Sequence, residues 1–266
     1  MLFRRRRPPA TPAVPEPPRP LPVAERDLRL SGWRSEATGE LFEGVPVAAG
    51  DVVADIGCSD HPHVARFCAE RGARMILVDT DTAGLARLRT HLSDLDQALL
   101  TFVDGEAGGI PLADGTASIV VSTEVLEHVD DPAAFMAELV RIGRPGARYI
   151  LSVPDPVTER LVKQIAHPSA FEKPNHIRIF EREQFTELVR DAGLIVESQR
   201  PYGFFFALGW IFFWADWVDP ATMTAPRMDS WAQTWGQVLD GKDGGRIKAI
   251  LDAAMPKSQI IIARKA

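Results

Sequence analysis

The chain is poor in cysteine, with only Cys58 and Cys68 among 266 residues. Two cysteines form neither a disulfide framework nor the Cys/His spacing of a zinc site, so a disulfide-stapled scaffold is excluded and a reducing cytoplasm is the simplest location. A basic excess is also lacking. The formal net charge is −6, which argues against a general nucleic-acid-binding protein. The most aromatic run, residues 202–215, is too short to span a bilayer and is followed by Asp216 and Asp219.

The amino-terminal segment is dense in proline and opens with Arg4 to Arg7. No apolar region follows these arginines, so we do not expect a secretory signal. Because such a composition cannot bury apolar surface, we predict a disordered arm over residues 1–32. Contact of the arginines with an anionic lipid surface or another polyanion is the alternative to a solvated tail.

From residue 51 onwards, short apolar runs alternate with helical patterns. The predicted strands are 51–57, 74–79, 98–104, 117–122 and 148–154, and the predicted helices are 62–72, 82–92 and 132–142. Alternation of this kind is typical of a doubly wound parallel sheet, whose crossovers are nearly always right-handed.

The predicted strand ends carry groups suited to a nucleoside. In such sheets ligands bind over the carboxyl ends of the strands. Gly57 lets the backbone approach a ligand, and Asp79 is placed to accept hydrogen bonds from both ribose hydroxyls. Asp104, at the next strand end, is suited to an adenine amino group. A lone aspartate at such a position is more often a turn former, but the set together favours a nucleoside site.

Several stretches resemble the class I S-adenosylmethionine-dependent methyltransferases. They are VVADIGCSDH, LVDTD, VDGEAGGIPLADGTASIVVSTEVLEHV, IGRPGARYILSVP, NHIRIFEREQFTELVRDAGLIVES and KSQIIIARK. The resemblance covers roughly residues 35–200 and 256–266, and its most specific parts are the first motif and EVLEHV. It implies an α/β fold with a doubly wound, seven-stranded, mostly parallel sheet, the Rossmann-like methyltransferase fold.

Four segments follow from this resemblance and from the composition. We predict the arm over residues 1–32 and a cofactor-binding core over 33–200. An aromatic-rich helical cap over 201–255 is inserted before the last strand, 256–266.

The resemblance also implies S-adenosylmethionine as the cofactor. The residues it assigns to cofactor binding are Asp55, Gly57, Ser59, Asp79, Asp104, Gly105, Glu106 and Glu124. Glu124, Glu127 and His128 would line the rim near the reacting methyl. Ser59 and His61 stand where the family usually has glycine, so a non-catalytic binding subunit that keeps the fold is the first alternative. The second is an NAD-dependent oxidoreductase, although its loop needs three glycines.

Methyl transfer needs a base only if the acceptor is a hydroxyl or a protonated amine, and histidine is the favoured residue type. We predict His176 as the base, with His128 second; His167 lies in the same region between strand five and the last helix. We expect no metal site, because Pro62 breaks the alternation of the histidines on either side of it and no carboxylate cluster completes a site there.

The predicted cap contains eight Phe and Trp residues between Phe204 and Trp217, followed by helical patterns over 229–239 and 245–255. A cap packed by its own aromatics is the plain interpretation; an apolar acceptor pocket, a lipid-facing lid and a homodimer interface are alternatives. We therefore expect a small-molecule acceptor that is lipid-like, a quinone or polyketide, or a glycan intermediate. The protein is expected in the cytoplasm, with peripheral membrane contact through the cap and the arginine-rich arm as an open alternative.

Overall fold

A computed structural model of the protein describes residues 22–105, 109–216 and 226–266. The helices are α1 (Val23–Leu30), α2 (His63–Ala69), α3 (Thr82–His91), α4 (Pro132–Ile142), α5 (Pro156–Ile165), α6 (Arg182–Asp191), α7 (Phe204–Asp216), α8 (Pro226–Asp240) and α9 (Gly244–Ala254). The strands are β1 (Trp33–Ser35), β2 (Glu40–Phe42), β3 (Val45–Pro46), β4 (Val52–Ile56), β5 (Arg74–Asp79), β6 (Leu100–Asp104), β7 (Ala117–Thr123), β8 (Gly143–Pro154), β9 (Leu194–Tyr202) and β10 (Ser258–Lys265).

Seven of these strands form one sheet in the order β6-β5-β4-β7-β8-β10-β9. Neighbours from β6 to β8 pair in parallel, and β10 pairs antiparallel with both β8 and β9. The prediction of a doubly wound, seven-stranded, mostly parallel sheet is confirmed. The strand order reverses between β4 and β7, and ligands of open α/β sheets bind at such a switch point.

Helices cover both faces of the sheet, which explains why its central strands are apolar throughout. All five residues of β4 are buried. One face packs against α2, α3 and the small sheet of β1, β2 and β3, and the other packs against α4 and α6. A strand covered on both faces has no polar side to alternate, so it reads as a continuous hydrophobic run.

The prediction of a disordered arm over residues 1–32 is wrong at the carboxyl end of that range. Residues 23–30 form α1, whose Asp27 is fully buried against the cap, and residues 1–21 lie outside the described part of the chain. The small sheet that follows has Trp33 and Phe42 in edge-to-face contact, with ring centroids 5.0 Å apart. Both features depend on contacts with distant parts of the chain.

The cap consists of α7, α8 and α9, and its aromatic side chains pack mainly on one another. Phe205, Trp235 and Leu239 form a buried cluster, and Trp231 stacks on Phe205 with ring centroids 5.9 Å apart. These contacts support the interpretation as a cap packed by its own aromatics. Among the described residues, no helix combines the length and the apolar character needed to cross a membrane.

Candidate active site

A cleft of about 830 Å³ opens over the carboxyl ends of β4, β5, β6 and β7. Pockets of several hundred cubic ångströms are the size that holds a small ligand. Six of the predicted site residues line this cleft: Gly57, Ser59, Asp79, Gly105, Glu124 and His128. The structure therefore brings together most of the predicted site residues, from the carboxyl ends of four strands, β4, β5, β6 and β7.

The loop after β4 makes the tight turn that the first motif predicts. Gly57 has a φ of 82°, and a Cβ at this position would lie 2.3 Å from Cγ2 of Val125, so only glycine fits. Ser59 has a φ of 51°, in the left-handed region that side chains rarely adopt. Ser59 thus keeps a backbone conformation that glycine, the usual residue at this position, adopts easily. His61 lies outside the cleft lining, and its side chain is 81% exposed.

Asp79 makes hydrogen bonds to the loop after β4 and to the loop after β5. Its carboxylate accepts hydrogen bonds from the backbone N–H of Ser59 at 2.7 Å and of Asp81 at 2.8 Å. Each carboxylate oxygen has a second lone pair, so both remain able to accept from a hydroxyl group in the cleft. Asp104 pairs with Asp79 in the sheet register, but its side chain is exposed and is not part of the cleft lining. Glu106 lies outside the described residues.

Asp55 lies beneath the cleft rather than in its lining. Its side chain is buried, and burial together with the negative charge of Asp79 raises the pKa of the Asp55 carboxyl to about 7. The predicted direct contact of Asp55 with a ligand therefore stays a prediction.

The opposite wall of the cleft is built around Glu124, which has a left-handed φ of 56°. Residues held in that region cluster at functional sites, at a cost on the order of 1–3 kcal/mol. The Ser152 hydroxyl donates to Oε1 of Glu124 at 3.0 Å, and the Lys257 ammonium donates to Oε2 at 3.0 Å. Burial disfavours the charged lysine, but the carboxylates of Glu124 and Glu159 outweigh it and raise the pKa of Lys257.

The two predicted catalytic histidines contact each other edge to face, with ring centroids 4.9 Å apart. Nδ1 of His128 lies 3.1 Å from the carbonyl oxygen of Pro174, and Nδ1 of His176 lies 2.9 Å from Oε2 of Glu159. His128 lines the cleft, and His176 lies behind it. The order predicted for the two histidines as bases, His176 before His128, stays a prediction.

Glu127 and Glu159 complete this wall, each with 1% of its surface exposed. Burial and the neighbouring charge of Glu124 raise the pKa of Glu127 above its usual value. The sequence reasoning placed Glu127 at the rim and missed Glu159 altogether. A signal existed, because Asp155 caps α5 with Pro156 at its first position, the same pattern that predicted α4 from Asp131.

The cleft is acidic, which suits a cationic ligand. Five carboxylate residues line it: Asp79, Glu124, Asp130, Asp131 and Glu138. Within the described ranges, no lysine or arginine lines the cleft. Glu124, Asp130 and Glu138 pair with basic side chains outside the lining. S-adenosylmethionine carries one net positive charge, and its adenosyl and methionine parts need the space that Gly57 and Gly105 leave. The residues present therefore fit this cofactor.

A cleft over the strand ends of a seven-stranded, doubly wound sheet is the arrangement found in several classes of cofactor-dependent enzymes. The chain belongs to the methyltransferase-domain family, whose model matches residues 29–199. This confirms the predicted class I S-adenosylmethionine-dependent methyltransferase family and identifies the cofactor of the class as S-adenosylmethionine.

Curated relatives agree with this assignment. A probable S-adenosylmethionine-dependent methyltransferase of Mycolicibacterium smegmatis is 30% identical over 150 residues, 56% of this chain and 54% of that protein. Methyltransferase GfsG of Streptomyces halstedii is 26% identical over 204 residues, 71% and 69% of the two chains. The mitochondrial ubiquinone biosynthesis O-methyltransferase of Schizosaccharomyces pombe is 29% identical over 126 residues, 46% and 45%. GfsG apart, the chain spans about half the length of these relatives.

Solved structures share the fold at low sequence identity. The putative methyltransferase from a complex with the Haloferax volcanii Trm112 methyltransferase activator has a TM-score of 0.57 and 18% identity, and the match covers 90% of this chain and 93% of that chain. Phosphoethanolamine N-methyltransferase 2 of Haemonchus contortus, solved with S-adenosylmethionine, has a TM-score of 0.55 and 17% identity, covering 83% and 50%.

Proposed function

We propose that this protein transfers the methyl group of S-adenosylmethionine to a neutral small molecule that carries a hydroxyl group. The observation that supports this most is the composition of the cleft. One space of about 830 Å³ is lined by Asp79, an aspartate at a strand end that can hold the ribose, and by a wall that contains the carboxylate of Glu124 and the imidazole of His128. That space is large enough for the cofactor and an acceptor side by side.

The reaction makes modest demands on the protein, because the sulfonium donor is already activated. Holding two reactants in line can supply about 7–11 kcal/mol of the barrier. We place the ribose on Asp79, the methionine part along the loop of Gly57 and Ser59, and the acceptor at the wall of Glu124 and His128. A hydroxyl acceptor would lose its proton at that wall, which is why His128 and His176 remain the proposed catalytic residues.

Charge narrows the acceptor class. An anionic acceptor would meet the carboxylates of the cleft without a lysine or arginine in the described lining to bind it. A quinol-like or polyketide hydroxyl fits better, and the name of the Schizosaccharomyces pombe relative, a ubiquinone biosynthesis O-methyltransferase, supports that choice. The cap supplies none of the described residues that line the cleft, so its aromatic side chains give no support to a lipid-like acceptor. A neutral glycan hydroxyl stays the alternative.

Calorimetry with S-adenosylmethionine tests the cofactor half of the proposal. Charge-assisted hydrogen bonds contribute about 1.5–3 kcal/mol each, so Asp79→Asn should weaken binding on the order of 10- to 100-fold. Asp191→Asn is the matched control, the same change at an exposed aspartate that ends α6 outside the cleft lining, and should leave the affinity within about 2-fold. NAD should release no heat. Absence of heat with S-adenosylmethionine would leave only the non-catalytic binding subunit.

Labelled S-adenosylmethionine tests the acceptor half. The protein is incubated with the labelled donor and a cell extract, and the extract is then fractionated. Label in neutral, solvent-extractable phenolic or polyketide compounds is expected, and it should fall strongly with His128→Ala. Label found only in anionic compounds would contradict the acceptor class, while label in soluble neutral glycans would select the alternative.

A further inference from the structure

Glu127, His128 and His176 converge behind the acceptor end of the cleft. Each offers one oxygen or nitrogen ligand atom, and these three atoms lie within 4.8 Å of one another. Two ligands that share a cation about 2.1 Å away lie about 3–4 Å apart, so small side-chain movements would bring all three onto one ion. Two imidazoles and one carboxylate are a recurrent ligand set for divalent transition metals.

Hydrogen bonds leave one nitrogen of each imidazole free for such an ion. A carbonyl oxygen only accepts, so Nδ1 of His128 carries the proton that it donates to Pro174, and its Nε2 keeps a lone pair. That Nε2 lies 3.8 Å from Oε1 of Glu127. Nδ1 of His176 likewise donates to the Glu159 carboxylate, which leaves its own Nε2 with a lone pair.

The Glu159 contact is typical of metal-binding histidines. Such an imidazole usually donates its second ring nitrogen to a carboxylate or carbonyl, which fixes the ring orientation and makes the ligating nitrogen more basic. Both histidines of the cluster show this arrangement, one on a carboxylate and one on a carbonyl.

Glu127 supplies the independent observation. Its side chain is 1% exposed, and neither of its carboxylate oxygens has a hydrogen-bond partner. Buried polar groups nearly always have partners, and a buried carboxylate without one is costly. A cation between Glu127 and the two imidazoles would satisfy both the carboxylate and the two nitrogen lone pairs.

We propose that Glu127, His128 and His176 bind one divalent first-row transition cation, with Glu159 orienting His176. Imidazole ligands favour Fe²⁺, Co²⁺, Ni²⁺ and Zn²⁺ over Mg²⁺, which prefers oxygen ligands. The cation site stands on the geometry of the cluster. Its catalytic consequence rests on the proposed function: with the metal bound, the cation would replace the two imidazoles, whose free nitrogens it occupies, as the group that favours loss of the acceptor hydroxyl proton.

Metal titration of the full chain, freed of metal with a chelator, tests the site. Zn²⁺ binding is followed by calorimetry, and Co²⁺ by its visible absorption, which reports nitrogen and oxygen ligands. One equivalent should bind per chain. Glu127→Gln and His176→Ala should abolish that binding, and Glu159→Gln should weaken it by about 10- to 100-fold. His61→Ala is the matched control, since this imidazole is 81% exposed and does not belong to the cluster, and the variant should bind the metal normally.

Several results would overturn the site. The site is overturned if neither Zn²⁺ nor Co²⁺ binds, or if the metal still binds to Glu127→Gln. It is also overturned if His61→Ala removes the binding, or if Mg²⁺ binds more tightly than Zn²⁺. Circular dichroism of each metal-free variant keeps loss of folding separate from loss of ligands. S-adenosylmethionine binding by the metal-free protein is measured in parallel. Cofactor binding without metal binding overturns only this inference, and metal binding without cofactor binding overturns only the proposed function.

Discussion

Asp79 ends β5, and Asp55 lies one residue before the end of the neighbouring β4, yet their surroundings differ. Asp79 faces the cleft and accepts two backbone hydrogen bonds. Asp55 is buried beneath it, and burial raises its pKa to about 7, with the charge of Asp79 adding to the effect. The same residue type therefore supplies a negative group at the ligand surface and a group that titrates near neutrality one layer below.

The raised pKa of Asp55 makes the stability depend on pH in a defined direction. Between pH 4 and about 7 the folded state holds a proton on Asp55 that the unfolded state has released, so the free energy of unfolding falls as the pH rises. At about 1.4 kcal/mol per pKa unit, the full penalty is on the order of 4 kcal/mol and is complete above pH 7.

Asp55→Asn removes this titration and is the test. Urea unfolding of the wild type and the variant is measured at several pH values from about 4 to about 8. The variant should gain stability relative to the wild type as the pH rises, because contributions of other groups cancel in the difference. A difference that is constant with pH would show that Asp55 does not titrate in this range.

At the scale of the elements, sequence patterns succeeded where local chemistry decides the structure. The strand predicted over 74–79 has those bounds, because four consecutive apolar residues, 75–78, lie between a charged residue and an aspartate at the turn. The strands of residues 33–46 have only two or three residues each and depend on burial of Trp33 and Phe42 against the main core. No local period marks strands that short, so they could not be predicted.

The helix α1 escaped prediction for a related reason. Its proline-rich neighbourhood suggests disorder, but Asp27 makes a buried ion pair with Lys248, at 3.0 Å, and accepts from Nε1 of Trp235 at 2.8 Å. Lys248 also contacts Asp252 at 2.7 Å, and Asp252 accepts from the backbone N–H of Phe204 at 2.8 Å. A network between residues more than 200 positions apart holds α1, α7, α8 and α9 together.

Lys248→Met should therefore destabilise the protein strongly. The side chain is 2% exposed, and its loss leaves Asp27 and Asp252 as buried carboxylates without a cation. Breaking a buried ion pair from one side typically costs about 3–5 kcal/mol. The expected result is a loss of that size in the free energy of unfolding by urea.

The matched control is another ion pair between α1 and the cap, which involves α8 instead of α9. Arg26→Met removes the pair of Arg26 with Asp240, whose side chain is 68% exposed, and should cost at most about 1 kcal/mol. Equal losses for the two variants would show that the buried network does not anchor α1 to the cap.

At the scale of the whole molecule, the fold brings together site residues that lie far apart in the sequence. The strand ends and their aspartates were predictable because each follows a recognisable buried strand. The contact of His176 with His128, and the position of Glu159 behind them, were not predictable, since 47 residues separate the two histidines in the printed sequence and α5 supplies Glu159. Sequence periodicity describes elements, whereas a cluster of this kind depends on how loops after different strands meet above the sheet.

The charge of the molecule leads to a last prediction, on cofactor discrimination. The chain carries a formal net charge of −6, and Asp79 and Asp131 line the cleft without an ion-pair partner among the described residues. S-adenosylmethionine has one net positive charge, and its demethylated product S-adenosylhomocysteine has none. Electrostatic attraction should therefore contribute to binding of the substrate cofactor and hardly at all to binding of the product.

Ionic strength separates the two contributions, because salt screens charge pairs over a Debye length of about 8 Å at physiological strength and about 3 Å at 1 M. Calorimetric affinity for S-adenosylmethionine should fall several-fold between low and high salt, while affinity for S-adenosylhomocysteine changes less than about 2-fold. Asp131→Asn should reduce the salt dependence for the sulfonium cofactor. Parallel salt curves for the two ligands would mean that the cleft recognises the adenosyl group by shape and hydrogen bonds alone, and that its acids serve the acceptor instead.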